Sequence, residues 1–332
     1  MFRNSQFAIR NSQFTAVLLL VSGLLTACSP SPSTPEPAHV SVRLKWLHQT
    51  QFAGIYVAQQ EGYYADESLV VALETVDFEH QSAIDKVMAG ENDFGITSSE
   101  SLLLARSEGK PVRALAVTFR ISAEVFLIEP NSGIQSPYDL VGRKIALSPG
   151  GPTIIYRAMM ERLGLDRSQV EEITVTTWDL WECWEIAPVC PNYATNGPVL
   201  LDLAGEDYGL IWPGDYGVSW YGDVLFTTDQ MIAEQPNVVE GFVRATLRGW
   251  QKAVEDPELA VAATLVYDDQ LDEEFQRRAM LASIPLIDTG DAPIGWMDKA
   301  VWRSTRDILL EQGFISSPVD LDALYTNEFN EQ

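Results

Sequence analysis

VSVRLKWLHQTQFAGIYVAQQEGYYADESLVVAL, residues 40–73, is the stretch whose reading decides the fold. Val40, Val42, Leu44 and Trp46 alternate with polar residues, the period of two that turns one face of a strand toward a core. A polar loop, residues 48–51, follows. From residue 52 to 64 the side chains Phe52, Ile55, Tyr56, Gln59 and Tyr63 recur at spacings of three and four, which predicts a helix ending around Gly62 and Asp66. Residues 69–73 form an apolar run as long as a buried strand. Strand, helix, strand predicts a parallel sheet. Ligands of such sheets bind beyond the carboxyl ends of the strands, where Trp46 and the polar loop stand.

Working outward, residues 82–89 predict a short helix closed by Gly90, and residues 93–96 a strand. Thr97, Ser98, Ser99 and Glu100 open the next helix, where hydroxyls cap free N–H groups or reach a ligand. Residues 113–119, 124–128, 144–147 and 172–177 predict strands. A helix is predicted over 154–163, preceded by the glycine-containing loop 148–153, whose backbone donors suit acceptor atoms of a ligand. Trp178, Trp181 and Trp184 are spaced by three, one face of a helix if residues 178–185 are helical. Such a face is either core or a stacking wall for a flat ring. Short elements are expected over 199–203 and 209–212, and residues 221–227 return the chain toward its first half. Helices are expected over 238–254, 257–266, 272–281 and 299–311, with residues 292–296 as a loop. This last third is expected to pack on the first half.

Four blocks carry a family resemblance: residues 46–71, VMAGENDFGITSSESLLLA (87–105), SPYDLVGRKIALSPGG (136–151) and DYGVSWYGDVLFTTDQMI (215–232). They resemble the periplasmic solute-binding proteins of the group that includes bacterial thiamine-pyrimidine binders, riboflavin binders and the fungal thiamine-pyrimidine synthase. The resemblance implies an α/β, two-lobed periplasmic-binding-protein fold of type II, each lobe a mixed sheet flanked by helices, with a cleft between. Lobe 1 would comprise residues 39–122 and 226–332, and lobe 2 residues 123–225. The first crossing between lobes would fall at residues 120–123.

The leader points the same way. Arg3 and Arg10 precede an apolar run over 14–25, too short to span a membrane and of signal-peptide length. Leu25-Thr26-Ala27-Cys28 has the form of a lipobox, the resemblance implying cleavage after residue 27 and lipidation of Cys28. An ordinary cleaved signal is the other reading. Residues 28–38, rich in proline, form an extended tether. Of the other cysteines, Cys183 and Cys190 either close a small disulfide loop in an oxidising compartment or stay as free thiols, and two ligands make an incomplete metal site.

The 47 acidic against 22 basic residues argue against a nucleic-acid partner. No GxSxG, HExxH, Walker or GxGxxG pattern is present, and no cofactor is expected. His48 matters because the fungal synthase of this group uses its own histidine as a reactant, but the cysteine-rich cluster of that family is missing. The reading is a binding protein and not an enzyme. Candidate ligand contacts are Trp46, Gln49, Gln51, Ser98, Ser99 and Glu100 from one side. From the other come Gly150, Gly151, Thr153, Trp178, Trp181, Asn196, Trp212, Asp215 and Tyr216. Aromatic, amide, hydroxyl and acidic groups favour a neutral or weakly basic flat heterocycle over an anion. What the resemblance implies is riboflavin or a formylated aminopyrimidine precursor of thiamine. Delivery would be to the permease and ATPase of an ABC importer, by a monomer lipid-anchored outside the cytoplasmic membrane. A ligand sensor serving a signalling receptor needs the same closure, and a synthase-like enzyme is the remaining alternative.

Overall fold

A computed structural model describes residues 36–76 and 82–330. The leader, Cys28 and most of the tether lie outside the described residues. Strands β1 (Ala38–Arg43) and β2 (Leu69–Glu74) pair in parallel, Val40 opposite Val71 and Val42 opposite Leu73. Between them, a 3-10 turn (Thr50–Phe52) runs into the helix Ala53–Gln60. The helix expected to reach residue 64 breaks earlier. Gly62 adopts φ 77°, where a β-carbon would be strained, and a second short helix (Tyr63–Asp66) leads into β2.

The chain continues through β3 (Phe94–Thr97) and β4 (Val112–Phe119). It then passes through β5 (Glu124–Ile128), β6 (Lys144–Leu147), β7 (Glu171–Thr174), β8 (Val189–Tyr193) and β9 (Gly209–Ile211), and returns in β10 (Asp223–Thr228). Among the described residues, β1 to β4 and β10 make one five-stranded sheet, ordered β2-β1-β3-β10-β4. It is mixed, because β10 runs antiparallel to β3 and β4. β8-β5-β9 is an antiparallel sheet, and β6 pairs with β7 in parallel. β8 was not anticipated. Pro191 argues against a strand, but β8 is an edge strand with β5 as its ladder partner, so the missing N–H costs little. The segment expected to carry the chain back, residues 221–227, is already β10 from Asp223 onward.

The two crossings between these sheet groups are tied together. Ser122 N–H donates to the Trp220 carbonyl at 3.0 Å, and Gly222 N–H to the Phe119 carbonyl at 2.9 Å. After β10 the chain is largely helical. Pro236–Glu255, Pro257–Leu265 and Lys299–Glu311 match their expected positions, whereas Glu273–Ile287 runs past residue 281, through Pro285.

Helix Pro236–Glu255 packs on Ala53–Gln60, as the apolar faces of both require. Two glycines permit the approach: a β-carbon on Gly249 would strike the Gly54 carbonyl, and one on Gly54 would strike the Trp250 ring. Beneath them Phe94 stacks on Phe242 with centroids 4.0 Å apart. Burying each such ring is worth roughly 1.5–3 kcal/mol. This packing fixes the end of β1, and hence residues 45–51, in place.

Candidate functional site

A cavity of about 440 Å³ lies where the segment after β1 faces β5, β8 and the helices Leu180–Ile186 and Gly197–Ala204. Its buried end is polar. Lys45, two residues beyond β1, sets its ammonium 2.7 Å from Asp223 Oδ1, and donates to Tyr193 Oη at 2.7 Å and to the Gly222 carbonyl at 3.0 Å. Burial alone would lower the Lys45 pKa, but the Asp223 carboxylate and the Tyr193 hydroxyl outweigh it and hold the pKa above its usual value. On its other side Asp223 accepts from Gln51 Nε2 at 2.8 Å, and Gln51 Oε1 accepts from Gln49 Nε2 at 2.6 Å. Lys45 is thus a cation neutralised by Asp223, with two of its protons on Tyr193 and Gly222.

Glu124, the first residue of β5, lies at the same end. Burial pushes its carboxyl up to about 8, the charge of Glu100 adding to the shift and Lys45 opposing it. Burial likewise raises Glu100. On β8, Asn192 Oδ1 accepts from the N–H groups of Tyr193 and Gly197, each at 2.8 Å, which turns its Nδ2 donors away from those contacts. Tyr193 Oη accepts from Lys45 and keeps its own proton, since burial raises its pKa.

The open end is aromatic. Trp46 meets Trp178 edge-on, with centroids 5.0 Å apart and planes at 76°. Trp178 and Trp181 remain 62% and 45% exposed, and Phe275 adds a further ring to the lining. Asp179 caps the helix that carries Trp181 by accepting from Glu182 N–H at 3.0 Å. Cys183 on that helix is disulfide-bonded to Cys190 on β8, with Cα atoms 6.2 Å apart. The wall is therefore stapled to the strand that lines the cavity's buried end. Aromatic faces at one end and convergent hydrogen-bonding groups at the other suit a planar, polar-edged molecule.

A family model described as NMT1/THI5 like matches residues 49–260. The chain belongs to this family. Its relatives include the riboflavin-binding protein RibY of Chloroflexus aurantiacus, 29% identical over 94% of this chain and 95% of that protein. The formylaminopyrimidine-binding protein of Halalkalibacterium halodurans is 26% identical over 91% and 94% of the two chains. A third relative, a 4-amino-5-hydroxymethyl-2-methylpyrimidine phosphate synthase of Legionella pneumophila, is 23% identical over 88% and 92%. Among solved structures, the periplasmic aliphatic sulphonate binding protein SsuA of Escherichia coli superposes with TM-score 0.69 at 15% identity, over 86% of this chain and 91% of that one. A Candida albicans protein described as having the generic periplasmic binding protein structural fold superposes with TM-score 0.65 at 14% identity, over 87% and 96%. The fold is the α/β periplasmic-binding-protein fold.

In this NMT1/THI5 like chain, five expected contacts line the cavity together: Trp46, Gln51, Trp178, Asn196 and Trp181. The others do not line it, for identifiable reasons. Gln49 is buried and spent on Gln51. Ser98 makes no capping bond and instead donates to Glu100 Oε1, while Ser99 Oγ donates to the Tyr221 carbonyl at 3.1 Å. Glu100 is buried behind Glu124, with Gly151 against both carboxyls. Gly150 is the residue before helix Gly151–Arg162, and Thr153 Oγ1 donates to the Ser148 carbonyl at 2.7 Å. Trp212 packs on the first sheet's core; Asp215 and Tyr216 sit in the 3-10 turn Pro213–Tyr216. Trp178 precedes its helix, which starts at Leu180, so the three tryptophans do not share one helical face.

The lining residues not anticipated include Lys45, Glu124, Asn192, Tyr193 and Phe275. For Lys45 the signal was its place next to Trp46; for Glu124 it was a lone charge opening an apolar strand. His48 does not line the cavity. Its Nδ1 is 2.9 Å from Tyr56 Oη, its ring packs on Tyr267, and burial lowers its pKa.

Proposed function

We propose that this protein is the extracytoplasmic solute-binding component of an ABC importer, capturing a flat heteroaromatic vitamin or vitamin precursor, riboflavin or a formylaminopyrimidine. The observation that carries the reading is the cavity itself: indoles that meet edge-on from opposite sides of a cleft, over a floor whose cation is already neutralised. Sulfonate or phosphate would ask for an unpaired Arg or Lys, and the charge of Lys45 is already matched by Asp223. The names of two relatives that span nearly the whole chain support the same ligand class. Binding without chemistry agrees with His48 standing off the cavity, engaged by Tyr56.

The lobes are proposed to be residues 39–122 with 223–332, and residues 123–222, bending about the paired crossings at Ser122 and Trp220. The second boundary moves from the expected 225/226 because β10 already belongs to the first sheet from Asp223, three residues earlier. Anchoring through a lipidated Cys28, after removal of residues 1–27, belongs to the same proposal, as do a monomeric state and delivery to a permease. Among the described residues no helix is long and apolar enough to cross a membrane.

Titration of the full chain with riboflavin and, separately, with a formylaminopyrimidine, followed by tryptophan fluorescence and calorimetry, tests the reading. Saturable binding of one of them at about micromolar Kd or tighter is expected. A folded protein that binds neither refutes this ligand class.

A further inference from the structure

Glu124 stands at the cavity's buried end with an unmet need. Its Oε2 is buried and, among the described residues, makes no hydrogen bond of ordinary geometry, although the Trp220 indole and the Ser122 hydroxyl stand beside the carboxyl. Its Oε1 lies so close to Gly151 that a β-carbon there would strike it, and the same β-carbon would stand 3.2 Å from Glu100 Oε1. Two carboxyls, one from β5 and one from helix Ser99–Ser107, thus crowd against Gly151, where no side chain fits between them. Glu100 Oε2 is also buried without a partner.

The groups facing this pair do not neutralise two charges. Lys45, from the end of β1, is matched by Asp223 of β10 and bonded to Tyr193 of β8. From the crossings come the Trp220 indole and the Ser122 hydroxyl, and from the helix's first turn Ser98 and Ser101, all uncharged. One cation among three buried carboxyl groups disfavours ionising both Glu100 and Glu124.

We propose that Glu124 binds the ligand as a neutral carboxylic acid, its O–H donating and its C=O accepting, and thereby selects heterocycles whose edge sets an N–H donor beside an acceptor. This rests on the proposed function and names the edge that the site reads. Such an amide or amidine edge pairs with a carboxylic acid through two parallel hydrogen bonds. Asn192, with its Oδ1 engaged by backbone N–H groups, adds donors from the same cavity wall.

The test measures affinity of the full chain from pH 6 to 9 by calorimetry, with riboflavin, or with a formylaminopyrimidine if riboflavin does not bind. Affinity should fall about tenfold between pH 7 and 9, as the neutral form is lost. Glu124→Gln keeps one donor and one acceptor without titrating, so its affinity should be flat over this range, while Glu124→Ala should bind weakly throughout. Riboflavin methylated at its imide nitrogen, which lacks the N–H, should bind wild type at least about tenfold more weakly. Wild-type affinity that is constant or rises with pH, or Glu124→Gln as weak as Glu124→Ala, overturns the proposal.

A ligand-free measurement separates this from failure of the proposed function. A carboxyl whose folded pKa is raised contributes stability below its unfolded pKa that is lost as pH rises through the folded value. The Tm advantage of Glu124→Gln over wild type should therefore grow from about pH 5 to about pH 8. A constant difference shows that Glu124 is ionised throughout and sinks the inference even if both ligands fail to bind.

Discussion

The two walls of the cavity are built by opposite means. On the β1 side, Lys45 and Gln51 are locked by hydrogen bonds that run from Gln49 through Gln51 to Asp223, and by the ion pair of Asp223 with Lys45. That wall is set before any ligand arrives, and its polar atoms mostly serve one another. On the facing side, Trp178 and Trp181 stand largely in solvent on a short capped helix, held to β8 by the Cys183–Cys190 link. One wall derives its geometry from buried charge pairing, and the other from a covalent staple under exposed rings. A fixed polar wall supplies orientation, while the aromatic wall supplies contact area and can adjust.

The largest effect should come from breaking the polar wall. Asp223→Ala strands the Lys45 ammonium in a buried setting and should cost roughly 3–5 kcal/mol of stability, read as a loss in denaturant midpoint. A cost below about 1 kcal/mol would mean that Lys45 readily loses its proton or rotates to water, and that this wall is not held by charge. The double change Cys183→Ser with Cys190→Ser attacks the other wall. The short loop released predicts a loss of roughly 2–3 kcal/mol, with the sheets retained by circular dichroism and ligand affinity reduced. Unaltered affinity in that variant would show that the tryptophan wall holds its place without the staple. The smallest effect is expected from Trp46→Ala, which should leave the fold intact and weaken ligand binding by about tenfold, ~1.4 kcal/mol. Calorimetry giving the wild-type Kd would remove Trp46 from the site.

The same contrast explains what could be read from the sequence. β1, the helix after it and β2 were legible because their periodicities are local and uninterrupted, and Trp46 followed from its place beyond β1. Lys45 was passed over because a lysine after a strand normally points to water; its partner Asp223 lies far along the chain, and only the sheet order brings the two together. Glu124 was hidden for the same reason, since its neighbour Glu100 comes from a different sheet group. β8 was missed because Pro191 obscured its pattern, and with it went Asn192 and Tyr193. The position of Trp178 was legible in principle: Asp179 followed three residues on by Glu182 is a helix-start signature, which puts Trp178 outside the helix. The hydroxyls at residues 98 and 99, read as helix caps or ligand contacts, and that of residue 153, read as a ligand contact, make hydrogen bonds within the protein whose partners the local sequence does not reveal.

The edge-on contact of Trp46 with Trp178 has an optical consequence. Two indoles 5.0 Å apart, on segments that belong to opposite sides of the cleft, are close enough to couple electronically. Their shared near-ultraviolet dichroism depends on separation and angle, so widening the gap or sliding a ring between them changes the spectrum. The protein carries its own unlabelled gauge of the distance between these two walls.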